Sequence, residues 1–194
     1  MSRVAGVDLS LTSTGVAILD TVTRVVTLHT ITSRPTKPKD ATSSVHDRVT
    51  RLRGIWTALC LNGPLDDELD LAVIEAPSYG SSNGGKHERS GLWWAVATAM
   101  YETVGAVAEV SPSQRMKYAT GSGAADKDKV LAAVIRRYVD VEVSGNDTAD
   151  ALVLAAMGAR YLGEPYEPDL PLTHLAAMDK VDWPKTNAKT GALL

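Results

Sequence analysis

The chain has 194 residues, 44% of them hydrophobic and 22% charged, with a formal net charge of −3. That is enough for one domain with its own core and ordinary soluble composition, and no apolar run is long enough to cross a bilayer. A single cysteine, Cys60, excludes an internal disulfide and a cysteine-built zinc site.

Cys60 falls on an apolar helical stripe and reads as core packing. The chain opens on a strand-like segment rather than on a basic stretch followed by an apolar leader, so a cytoplasmic, reducing setting and no membrane partner are expected. Residues 3–9, 15–19 and 24–31 read as three strands with short links, an antiparallel meander. After a Pro-, Lys- and Ser-rich loop, Val45, Val49, Leu52, Trp56 and Leu59 recur at spacings of four, three, four and three. That spacing predicts an amphipathic helix, ended by Asn62-Gly63-Pro64. Residues 71–74 form a short apolar strand leading into Glu75.

Residues 76–91 are rich in glycine and serine and read as a loop. Leu92, Trp93, Val96, Ala97, Met100 and Val104 describe a second helix, stopped by Gly105. A strand over 106–110 follows, then a short helix from Ser111-Pro112 to Tyr118. "TGSGAAD" (120–126) is a second glycine loop, and the stripe Val130, Leu131, Val134, Ile135 and Tyr138 predicts a helix beginning near Asp126. The last helix covers about 147–162. The order predicts one α/β domain over residues 1–163: a central mixed five-stranded sheet, its first three strands antiparallel, flanked by helices. Residues 164–194 are expected as an irregular tail, either packed on the core through Trp183 or disordered.

Charge is unevenly spread. Residues 24–53 hold Arg24, Arg34, Lys37, Lys39, Arg48, Arg51 and Arg53 against Asp40 and Asp47. This basic run is either a solvated face or a surface for nucleic acid.

Four acids stand in unusual places. Asp8 ends the first apolar strand, and Glu75 ends the strand "LAVIE". Ligands of open α/β sheets collect at strand ends, so the two meet if their strands are adjacent and parallel. Asp147 and Asp150 lie three residues apart at the mouth of a very apolar helix and share one face of it. Singly, each acid has a structural explanation: Asp147 as a helix cap, Asp150 as a first-turn complement to the dipole, Glu75 as a strand end reaching solvent. Together they carry a charge of about −4 at neutral pH. Hard divalent cations with oxygen ligands balance that, two Mg²⁺ in number. Two such ions ~3.5–4 Å apart activate a water and stabilise the leaving oxygen of a phosphodiester.

The blocks "GVDLSLTSTGVAI" (6–18), "VIEAP" (73–77), "TGSGAADKDKV" (120–130) and "NDTADALVLA" (146–155) resemble, in order, the motif blocks of RuvC-like Holliday junction resolvases. The resemblance spans roughly residues 4 to 162, with a bacteriophage type the one expected. It implies a ribonuclease H-like fold, a homodimer, and cutting of four-way DNA junctions with Mg²⁺, or Mn²⁺ in its place, to leave 5′-phosphate and 3′-hydroxyl ends. It also implies that Asp8, Glu75, Asp147 and Asp150 are the metal-binding acids, Lys127 a contact to the cut phosphate, and Lys117 a second functional lysine. Tyr79 is the candidate for an aromatic wedge in the junction. Tyr79, Lys86, Arg89, Arg115 and Lys129 are the expected DNA contacts, with residues 34–53 and 86–89 holding the arms. The sequence departs from the pattern at Leu9-Ser10, where the family has Pro-Gly.

The helix with Trp93, Trp94 and Met100 is the candidate dimer face, because adjacent tryptophans cannot both point inward. Three other readings stay open: a nuclease preferring forks or flaps, an actin-like or sugar-kinase ATPase domain, and a non-catalytic DNA-binding protein of the same fold.

Overall fold

The computed structural model describes residues 2–34, 43–61, 63–65, 68–77, 85–167 and 169–185. Five strands form one mixed sheet in the order β3-β2-β1-β4-β5. β1 (Arg3–Asp8), β2 (Ser13–Asp20) and β3 (Val26–Thr32) make the antiparallel meander. β4 (Leu71–Glu75) lies parallel to β1, and β5 (Val107–Val110) lies parallel to β4. β1, β2 and β4 are apolar at successive positions because both of their faces are covered.

The parallel pairings need crossovers. α1 (Val45–Cys60) carries the chain from β3 to β4, and α2 (Lys86–Val104) carries it from β4 to β5. Both helices cover one face, where Ile55, Leu59, Leu92, Val96 and Met100 meet the sheet, with Cys60 packed beside them. α2 begins at Lys86, not at Leu92 as the sequence predicts. The burial of Leu92, Trp93 and Val96 against the sheet outweighs the helix-weakening effect of Gly91, which faces solvent.

The other face carries α3 (Pro112–Thr120), α4 (Lys127–Arg137) and α5 (Asn146–Tyr161). α5 is buried at every residue from Thr148 to Ala159, as befits a helix apolar on all sides. Its backbone lies directly on the strands. A Cβ at Gly6 would fall 2.1 Å from the Ala151 carbonyl oxygen, and one at Gly15 would fall 2.0 Å from that of Asp147. Only glycine permits this approach.

The described residues after Gly163 pack on the core, in part through Trp183. Its ring stacks on Tyr161, centroids 4.6 Å apart and 7° from parallel. A short α6 (Leu172–Leu175) and a 3₁₀ turn (Met178–Lys180) bring Ala177 and Val181 into the α5-side core. Among the described residues, no helix is long and apolar enough to cross a membrane.

Candidate active site

The parallel register pairs Val7 with Ile74, so Asp8 and Glu75 follow side by side at the carboxyl ends of two central strands. Their carboxyl groups are close enough for Glu75 to raise the proton affinity of Asp8. Trp93 Nε1 donates to the Glu75 carbonyl at 2.9 Å and ties α2 to the end of β4. Asp147 and Asp150 arrive from above, on the first turns of α5, because Gly15 and Gly6 let that helix sit on β2 and β1. Asp147 does not cap α5, since Gly145 holds the cap position. Its carboxylate accepts a hydrogen bond from the Ser13 hydroxyl instead. Asp150 is buried, at 4% exposure.

Arg115 joins the cluster from α3. It is 6% exposed. Its Nε donates to Glu75 Oε1 at 3.0 Å, and its Nη1 donates to Asp150 Oδ1. The sequence predicts a DNA contact here; the structure places a buried cation between two acids. Its position on the helix explains why: Tyr118 and Ala119, three and four residues on, are also buried, so Arg115 lies on the inward stripe.

Burial and crowding set the proton affinities. Asp8 is held well above the ordinary aspartate range, first by burial, then by the charge of Glu75, the hydrogen bond to it, and Asp150; Arg115 pulls the other way. Asp150 is pushed up to about 6, chiefly by burial, with Arg115 and Lys127 opposing and Glu75 and Asp147 adding to the rise. An acid cluster with one guanidinium in it remains short of positive charge.

The expected cations separate into groups. Lys127 is exposed at the first position of α4, close enough to act electrostatically on Asp150. Lys129, also exposed, pairs at 3.0 Å with Asp126, the residue capping α4. Lys117 is half-buried in the last turn of α3. Lys86 is exposed at the start of α2. Arg89 lines a cleft of about 160 Å³ with Asp8, Ser10, Glu75, Trp93 and Pro112. Tyr79, Lys37 and Lys39 lie outside the described residues. Part of the basic run serves the fold itself: Arg48 pairs with Glu88 of α2 at 2.8 Å, Arg51 bonds to the Leu11 carbonyl and Ser33, and Arg24 lies over the Tyr166 ring.

The donor set suits a hard divalent cation, for it consists of carboxylate oxygens at one end of the sheet. The Asn146 side-chain oxygen beside them is buried and without a hydrogen-bond partner. As the side chains stand, no three acid, histidine or cysteine groups among the described residues converge on one ion position. Glu75 and Asp150 are engaged by Arg115.

No family model and no curated protein sequence matches the chain. Solved structures do. Thermus thermophilus RuvC is 20% identical, with a TM-score of 0.62, over 84% of this chain and 97% of that one. T. thermophilus RuvC in complex with a Holliday junction substrate is 18% identical, with a TM-score of 0.61, over 84% of this chain and 98% of that one. With its β3-β2-β1-β4-β5 sheet and helices on both faces, the chain has the ribonuclease H-like fold of RuvC.

Proposed function

We propose that this chain is a divalent-metal-dependent endodeoxyribonuclease that cuts four-way DNA junctions. The observation that carries the reading is the gathering of Asp8, Glu75, Asp147 and Asp150, from β1, β4 and α5, at one end of the sheet. The fold is the one in which T. thermophilus RuvC holds its junction substrate. A protein that only bound DNA would gain nothing from acids that repel phosphate.

In this reading the four carboxylates hold Mg²⁺, with Mn²⁺ as a substitute. The bound ions would supply an activated water and neutralise the leaving oxygen. The chain's own residues do the rest. Gly6 and Gly15 fix the height of α5 above the strands and so the spacing of the acids. Ser13 orients Asp147. Lys127 and Lys117 offset the charge of the scissile phosphate. Arg89 in the cleft and Lys86 at the start of α2 hold the DNA backbone, which makes binding strongly salt-dependent. The active unit is a homodimer, since resolution needs two nicks. Trp93 and Met100 face inward, while Trp94 and Tyr101 are 66% and 67% exposed one helical face away, an apolar surface for a second copy.

The test is cleavage of a labelled four-way junction and a matching linear duplex, with Mg²⁺ and with EDTA, by wild type and Asp147→Asn. Paired nicks in the junction alone, lost in EDTA and in the variant, are expected. Cutting of both substrates would remove the junction preference. No cutting by folded protein under any condition would remove the nuclease reading.

A further inference from the structure

We infer, on the nuclease reading above, that Arg115 is a resident counter-cation of the acid cluster, and that a divalent ion enters by displacing its guanidinium from Glu75 and Asp150.

Arginine is almost never buried unless paired, and here it is paired twice, to acids on two different elements. Its charge is permanent, because guanidinium does not lose its proton in proteins. It is also presented from a rigid support. The start of α3 is fixed by Pro112 and by a reciprocal cap, in which Ser111 accepts from the Gln114 amide and Gln114 accepts from the Ser111 amide. Its far end is held by Arg137, which donates to the Tyr118 and Ala119 carbonyls, and by Arg160, which donates to the Tyr118 hydroxyl at 2.8 Å.

Two consequences follow. While Arg115 bridges them, Glu75 and Asp150 keep their separation through hydrogen bonds that are among the stronger kinds available. An ion that ligates Glu75 Oε1 or Asp150 Oδ1 competes with the guanidinium for that oxygen, and one at either carboxylate's other oxygen binds against the repulsion of a like charge. Arg115 is therefore a positioning residue that lowers the metal affinity of the free protein.

The experiment is calorimetric titration of Mn²⁺ into the full-length protein without DNA, for wild type, Arg115→Met and Arg115→Lys. Methionine keeps much of the apolar stem and removes the charge. Arg115→Met is expected to bind Mn²⁺ about ten- to a hundredfold more tightly than wild type, the range spanned by one hydrogen bond to a charged group. It should also melt lower than wild type in EDTA and recover with Mn²⁺. A second readout follows the wild-type protein itself. The Arg115 Nε–H resonance of wild type, assigned by its absence in Arg115→Lys, should be protected in EDTA and shift or exchange on Mg²⁺ addition. Unchanged or weaker Mn²⁺ binding by Arg115→Met would overturn the inference, as would an Nε–H resonance unmoved at saturating Mg²⁺. Either result with metal-dependent cleavage intact leaves the nuclease reading standing. Absence of metal binding in all three proteins, with no cleavage, overturns both.

Discussion

Gly15→Ala tests the seating of α5 on the sheet. The added Cβ would lie 2.0 Å from the Asp147 carbonyl oxygen and 2.3 Å from its carbonyl carbon. Side-chain carbons essentially never approach a heavy atom below 3.0 Å, so the oxygen must retreat by at least 1.0 Å, the difference of the two. The obstacle is helix backbone, which no rotamer change can move aside. Overpacking of this kind costs about 1–3 kcal/mol, which in a chain of this size lowers the melting temperature by roughly 2–12 °C. The same shift carries Asp147 and Asp150 off the strand ends, and a misplacement near 1 Å costs on the order of a hundredfold in rate. Gly54→Ala is the control: nothing lies within 4 Å of its added Cβ, in the interior of α1. Alanine there should stabilise by about 0.5–1 kcal/mol. Thermal unfolding and junction cleavage read both variants. Gly15→Ala melting at or above wild type, with full cleavage, would refute the close seating of the helix.

Asp150 predicts the pH dependence in EDTA. Its folded carboxyl keeps a proton up to about 6, whereas an unfolded aspartate releases it near ~3.9. Between those values the native state binds more protons, so this group's contribution to stability falls as pH rises through the window. Asp150→Asn removes that slope, and its melting temperature should gain on wild type between pH 4 and pH 7; a gap constant with pH would contradict the assignment. Trp94→Lys, at a position 66% exposed, should leave the fold intact and halve the solution mass measured by sedimentation; a wild type that is already monomeric would remove the α2 face as the dimer contact.

The succession of elements, the antiparallel first three strands and the place of Asp8 and Glu75 at strand ends were legible because their signals are local. Asp8 and Glu75 each close a run of apolar residues, and Asp147 and Asp150 share a helical face at a spacing of three. The role of Arg115 was not read from the chain, because its partners lie 40 and 35 residues away. A signal was nonetheless present: the periodicity that turns Tyr118 inward turns Arg115 inward too, and an arginine on a buried stripe requires acids. The start of α2 was misplaced because Ser90-Gly91 carries the local signature of a loop, while the packing that overrides it involves the distant β4 end. Part of the basic run is tied into the fold, and this was not legible: Arg48 and Arg51 bond to Glu88, Leu11 and Ser33, contacts fixed only when α1 folds back on the sheet.

The central position of β1 has a consequence for synthesis on the ribosome. Its second neighbour, β4, begins 63 positions beyond β1's last residue, from Asp8 to Leu71, and its cover, α5, begins only at Asn146. At about 5–20 residues per second, a nascent chain waits several seconds with the α5 face of β1 and β2 uncovered. Two of the four acids lie on α5, so a chain stopped before Asn146 carries at most half of the cluster. Site assembly thus waits for α5, and on the nuclease reading a product truncated before it that still gripped DNA would lack the means to cut it.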